Sequence, residues 1–395
     1  MEFSIERKRL QDALQKVMRA VALKNTVEVL SGVLLEVNDD KRMLVLTATD
    51  LTLTMQVKLK NVSVTMPGNT VVHAKILVEM LGSMSGETAV IKQRDGCITV
   101  QCGNSIYRGH VMNAEQFPKV SIVYPDNTIC VTGISLLSKK ATMLASERND
   151  NPVFQGVQMR FSPSVTTATS SDGVRFVKSK SEGISDGSLD MFIPERALKI
   201  LHGSVRAGDD LYIGKVNNTA TFMTSEFVFT TQLNDTNLER VEAMMEKITA
   251  VNSVTVHAKT FSQAVDCCIS LVNGYDSCVN LTLTGNSIIL SVDNENGCSQ
   301  IEVDAEKVTD MQGKVYHYKP NFIFEALRSC SGMVTVDFDQ RGIMKIHSDT
   351  TDYVITPRIA ARVKVAEVSD NDKEATVKKR KTTKAKKGKA AKTAA

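Results

Sequence analysis

Apolar residues recur along this chain with two periods, and the two periods alternate in a fixed order. Near the start, Leu10, Leu14, Val17 and Val21 fall three or four positions apart. That spacing stacks side chains on one face of a helix and predicts a helix over residues 6–21. The same reading predicts helices over 74–84 (Leu77, Met80, Leu81, Met84), 135–146 (Leu137, Ala141, Leu144) and 194–204 (Ala197, Leu198, Leu201). Two more follow over 258–272 (Phe261, Ala264, Val265, Cys268, Leu271) and 320–331 (Ile323, Ala326, Leu327, Cys330). Pro194 and Pro320 stand where a first-turn proline is tolerated. Between the helices, runs at 29–37, 89–100, 153–160, 279–283 and 333–338 alternate or are continuously apolar. Clusters of Gly, Asn, Asp and Ser separate these runs, which therefore read as short strands.

The pattern repeats. An apolar strand leading to a small polar motif with Asp occurs three times, ending at Asp50, Asp172 and Asp293, which are 122 and 121 residues apart. An aromatic opening a strand also recurs, as Tyr107, Phe229 and Tyr353, at intervals of 122 and 124. Two independent landmarks with one period indicate a triplicated unit. Each unit holds two helices and many strands, which implies an α+β domain with helices on one face of antiparallel sheets. The expected divisions are 1–126, 127–248 and 249–365. A basic tail at 366–395 lacks the aliphatic mass to fold and is expected to be disordered.

Composition narrows the class. Of 395 residues, 42% are apolar and 23% charged, as in ordinary water-soluble proteins. No apolar run approaches the ~18 residues of a membrane span, and the opening Met1-Glu2-Phe3-Ser4-Ile5-Glu6 lacks a secretory pattern, so a cytoplasmic protein is expected. The eight cysteines are scattered without a C-x-x-C and read as buried reduced thiols. The net charge of +4 is unevenly spread, because nine Lys/Arg and no acid lie from Lys378 onward, leaving residues 1–377 at −5. A polyanionic partner must then meet either the tail or a local basic surface.

No catalytic constellation is present in the sequence. The six histidines are dispersed, and no phosphate-binding loop, zinc-type His pair or nucleophile elbow occurs. No enzyme activity, cofactor or metal is expected. Asp50, Asp172 and Asp293 read as turn residues beside strands. The helical segments instead carry cations on or near their polar faces: Arg9, Lys16, Lys75, Lys139, Lys140, Arg196, Lys199, Lys259, Lys319 and Arg328, with Lys24 just past the first helix. If equivalent helices face one way, these form a lining that contacts phosphates without reading bases.

Several segments resemble the β subunit of bacterial DNA polymerase III, the processivity clamp. They are Met1-Glu-Phe-Ser-Ile-Glu-Arg7, Leu46-Thr-Ala-Thr-Asp-Leu51, Glu115-Gln-Phe-Pro118, Ser171-Asp-Gly-Val-Arg-Phe176, Ile193-Pro-Glu-Arg196, Phe227-Val-Phe-Thr-Thr-Gln-Leu233 and Tyr353-Val-Ile-Thr-Pro357. The likeness runs over about residues 1–365. It implies three tandem clamp domains and a head-to-tail homodimer forming a six-domain ring around double-stranded DNA. Implied partners are the replicative DNA polymerase, the clamp loader, and repair and replication proteins with short clamp-binding peptides. Implied junction positions are Tyr107, Gly109, Ile269 and Leu271, with Gly109 standing where the family often has a larger apolar residue. The resemblance places a partner-peptide pocket at Phe154, Ser171, Gly173, Val174, Arg175, Phe176, Met244, Val354, Thr356 and Pro357. Val174 departs from the usual His, Thr356 from Met, and Glu239 and Ala243 from Pro and Arg, which implies a different peptide preference. The tail is expected to add non-specific DNA affinity, and a non-ring protein binding DNA mainly through that tail is the alternative.

Overall fold

A computed structural model describes residues 1–22, 27–38, 42–272, 278–294, 297–306 and 315–358. Met1–Pro357 form one compact unit. Lys24, the end of the third division and the tail at 366–395 lie outside the described residues.

The first third contains strands β1 (Glu2–Glu6), β2 (Val33–Asn38), β3 (Met43–Thr49), β4 (Leu53–Leu59), β5 (Ser63–Met66), β6 (Gly68–Val72), β7 (Thr88–Arg94), β8 (Cys97–Cys102) and β9 (Ser105–His110). Its helices are α1 (Arg7–Val17) and α2 (Ala74–Ser83). The second third has β10 (Ile129–Val131), β11 (Gly156–Phe161), β12 (Val165–Ser171), β13 (Arg175–Glu182), β14 (Leu189–Pro194), β15 (Leu211–Val216), β16 (Thr219–Met223) and β17 (Phe227–Gln232), with helices α3 (Ile134–Thr142), α4 (Glu195–His202) and α5 (Glu239–Glu246). The last third has β18 (Asn252–His257), β19 (Val279–Leu283), β20 (Ser287–Asn294), β21 (Gly297–Asp304), β22 (Val315–Tyr318), β23 (Met333–Phe338), β24 (Met344–His347) and β25 (Thr351–Ile355), with α6 (Ala258–Ile269) and α7 (Pro320–Arg328).

Each expected helix forms, ending earlier than expected, and the six pack in pairs: α1 on α2, α3 on α4, α6 on α7. Their apolar stripes are the buried residues, for example Leu10, Leu14 and Val17 in α1 and Ala197, Leu198 and Leu201 in α4. Each buried Leu or Val side chain contributes roughly 1.5–3 kcal/mol by leaving water. Pro320 opens α7 as a first-turn proline, whereas Pro194 closes β14 and only caps α4. The helix α5 has no counterpart in the sequence reading; its apolar residues Val241, Met244 and Met245 are not buried, and its one buried residue is Glu242.

All the sheet pairings are antiparallel, and the strand order carries the triplication. Two eight-stranded sheets run β6-β2-β3-β4-β17-β16-β15-β10 and β14-β11-β12-β13-β25-β24-β23-β18. Each is half from one third and half from the next. The remaining halves are β22-β19-β20-β21 and β9-β8-β7-β1-β5, which lie in separate sheets. The three aromatics do not open their strands; each is the third residue of the last strand in its third. Asp50 and Asp172 make the same turn, each Oδ1 accepting backbone N–H groups two and three residues on, from Thr52 and Leu53 and from Val174 and Arg175. Asp293 does not. It lies inside β20 opposite Cys298, and the residue at the turn position, opposite one three residues on, is Asn294, paired with Gly297.

The thiols are all free, and Cys102 and Cys268 are buried as expected, but Cys267 and Cys298 are exposed. Among the described residues no helix is long and apolar enough to cross a membrane.

Candidate functional site

A cavity of about 600 Å³ lies where the first and second thirds meet on the helical side. It draws Arg9, Lys16 and Arg19 from the α1 region, Lys58 and Lys60 from β4 and its end, and Arg206 from the segment after α4, against only Asp12 and Glu226. Lys16 pairs with Glu226, and Arg9 Nη2 donates to the Lys60 carbonyl at 3.1 Å. Lys58, Lys60 and Arg206 are exposed. Helical periodicity could not find these three, since none is on a helix. The strand period could have, because Lys58 and Lys60 are two apart and share a face.

The other expected cations scatter over the helices: Lys75 on α2, Lys139 and Lys140 on α3, Lys199 on α4, Lys259 on α6, Arg328 on α7, and Lys319 just before it. Lys199 is paired along its helix with Glu195, and Lys140 Nζ donates to Thr351 Oγ1 at 3.0 Å. Arg196 is not an open phosphate contact. Its guanidinium is held by Asp50 and by the Val21 carbonyl at 3.0 Å, tying the second third to the first. Asp50 is nearly buried, so this cation is spent on neutralising a carboxylate that would otherwise be costly to cover.

A second concavity lies at the joint of the second and third thirds. It is lined by Met143, Leu144, Arg175, Phe176, Phe322, Glu325, Ala326, Tyr353, Val354 and Ile355, and holds only about 10 Å³. Three residues expected in a partner pocket, Arg175, Phe176 and Val354, are in this lining. Five others lie at or beside the turn that precedes Arg175. The Thr356 N–H donates to the Val174 carbonyl at 3.0 Å, Ser171 Oγ donates to the Arg175 carbonyl at 2.7 Å, and Gly173 packs under Phe154. Gly173 has φ +88°, and an added Cβ would stand 3.2 Å from the Phe154 ring, so the turn demands glycine twice over. Met244 is not in the lining. It sits on α5, whose Glu242 accepts from Arg160 Nη1 at 2.6 and 2.8 Å. Pro357 packs towards Gly342. Met143, Phe322 and Glu325 were not foreseen, because nothing in their own segments marks them as meeting β13.

The expected junction residues sit at two free sheet edges. Tyr107 and Gly109 are on β9, the last strand of its sheet. The Tyr107 hydroxyl lies across Gly109, so a Cβ there would make the tyrosine side chain move. At the other edge, Leu271 lies beside Gly297 at the start of β21, and its carbonyl accepts from Asn294 Nδ2 at 2.7 Å. Ile269 ends α6 and is half-buried against the core.

Residues 1–121 match the family described as DNA polymerase III beta subunit, N-terminal domain. The beta sliding clamp of Bacillus subtilis is 21% identical over 346 residues, covering 84% of this chain and 91% of that protein. That of Helicobacter pylori is 22% identical over 345 residues, covering 83% and 88%. The chain is thus similar to bacterial β sliding clamps over more than four fifths of its length. Solved clamps share the fold along the chain. The Bacillus subtilis sliding clamp superposes with a TM-score of 0.82 at 20% identity, covering 91% of this chain and 100% of that one. A Pseudomonas aeruginosa clamp bound to griselimycin gives 0.82 at 20%, covering 91% and 99%.

One polar cluster holds a histidine charged well above neutrality. His347 on β24 lies between Asp337 on β23, with Nε2 at 3.1 Å, and Asp352 on β25, with Nδ1 at 2.9 Å. Hydrogen bonds to Asp337 and then Asp352 push the imidazole up to about 9, against opposing burial and Lys345. A histidine raised in this way contributes stability that is complete below its ordinary value near 6.5 and is lost as pH rises through about 9. The contribution is on the order of 1–2 kcal/mol after allowing for solvent screening. Urea melts should show the native chain weakening between pH 6.5 and 9, with the slope reduced in His347→Gln; an equal slope in both would remove His347 as its source.

Proposed function

We propose that two copies of this chain close head to tail into a ring around duplex DNA, acting as a non-catalytic sliding clamp that tethers a replicative polymerase. The observation that carries this is a joint built twice in the chain, with its two halves left over. In the first joint β17 meets β4, with Phe229 opposite Met55. In the second β25 meets β13, with Tyr353 opposite Val177. Each aromatic thus faces the residue five positions after the turn residue, Asp50 or Asp172. Applied to the free edges, the same rule sets Tyr107 opposite Ser299 of the partner subunit, five after its Asn294. Tyr107 and Ser299 are both half-buried and Ile106 and Gln300 both exposed, so the inner and outer faces of the two strands agree in this register. Pairing would cover both of these edges. The two-fold relation gives two such joints per ring.

The basic cavity supports contact with phosphates that holds duplex without reading sequence. The concavity beside Arg175 supports capture of short peptides from the polymerase, the clamp loader and repair proteins. Tethering then keeps the polymerase at high effective concentration on its template without tight base contacts. A cytoplasmic place at the nucleoid follows from that role. The test is retention on nicked circular DNA after loading, followed by release when the circle is cut. Equal release from circular and linear DNA would reject the ring and favour binding through the tail.

A further inference from the structure

The concavity beside Arg175 is shut. Its 10 Å³ is room for about one water molecule and for no side chain. What shuts it is a stack, with the Arg175 guanidinium carbon 4.1 Å from the centroid of the Phe322 ring. The guanidinium is fixed from both sides: Nε donates to Asp172 Oδ2 at 2.8 Å, and Nη1 to Glu325. Phe322 and Glu325 are three apart on α7, so they share a helix face and hold the arginine together. Around the closed mouth, Met143 and Val174 are 46% and 42% exposed, too much for side chains that serve only the core. Below it lie Leu144, Phe176, Val354 and Ile355. Apart from the two charged members of the stack, the lining is uncharged, which suits an apolar peptide segment and no nucleic acid.

We propose that Phe322 is a gate and specificity-determining residue, and that a partner's apolar segment enters only when the Arg175–Phe322 stack parts. This rests on the reading of the concavity as a peptide site. A binding-competent state that is populated only in part weakens apparent affinity by that fraction. Segments with one weak apolar anchor are then refused, while those with several open the gate.

Griselimycin, which a solved clamp binds, is the probe. Its affinity and association rate are measured on the full chain, on Phe322→Ala and on Glu325→Gln, with backbone hydrogen exchange over residues 174–176 and 353–357 reporting where it binds. The gate predicts Kd about tenfold tighter for Phe322→Ala and about threefold tighter for Glu325→Gln, both through faster association. Glu325 is half-exposed, so its variant decides the matter if Phe322→Ala does not fold. Protection at those segments with unchanged or weaker binding in the variants makes Phe322 a plain wall and overturns the gate, leaving the peptide site intact. No protection there in any of the three proteins overturns the site and the gate together.

Discussion

A Ser299→Arg chain is expected to sediment as a monomer at concentrations where the native chain is a dimer, and to be lost from nicked circular DNA. In a lone protomer Ser299 lies half-buried on the free edge of β21, where an arginine can turn to solvent. In a ring it would face Tyr107 of the partner subunit and be driven into the joint on the face that Ser299 shares with Ile301 and Val303. An unpaired charge so placed costs about 3–5 kcal/mol. With two joints per ring, the dimer constant should weaken by at least about a thousandfold. Melting of the monomeric variant should match that of native protomers diluted below their dimer constant. A dimer of native strength would mean that β9 and β21 do not meet in this register.

Removing the strand and loop cations of the basic cavity should have the next largest effect. Lys58, Lys60 and Arg206 replaced together by alanine are expected to weaken binding to linear duplex and to flatten the plot of log affinity against log salt. Three phosphate contacts correspond to a slope change of about 2.7. All three side chains are exposed, so the fold should not suffer. Deleting residues 378–395 in the same assay apportions the remainder, since nine cations leave with that segment. A slope that falls only with the deletion would move the DNA contact from the cavity to the tail. By contrast, Arg196→Ala should leave the slope unchanged and lower stability, because its partner is Asp50 rather than phosphate.

The sequence by itself determined the triplication, the six paired helices and the α+β class, because each depends on local periodicity. Leu10, Leu14 and Val17 can face one core only as a helix, whatever lies opposite. It also marked Tyr107, Phe229 and Tyr353 as a recurring landmark, at intervals of 122 and 124, though as residues opening strands rather than as the aromatics of the joints. A one-residue error in the third turn, Asp293 for Asn294, followed from matching residue type where only strand pairing gives the position.

The tertiary structure alone decided which charges are free and which are spent. Arg196 and Asp50 lie 146 positions apart, and nothing near either one announces the pair. The same holds for Arg175 and Glu325, and for Arg160 with Glu242, which hold down a gate and a helix absent from the sequence reading. Burial periodicity is a property of neighbours along the chain, so it is legible in one dimension. Ion pairs and cavities are made by residues that only folding brings together, and so are the two unmatched sheet edges.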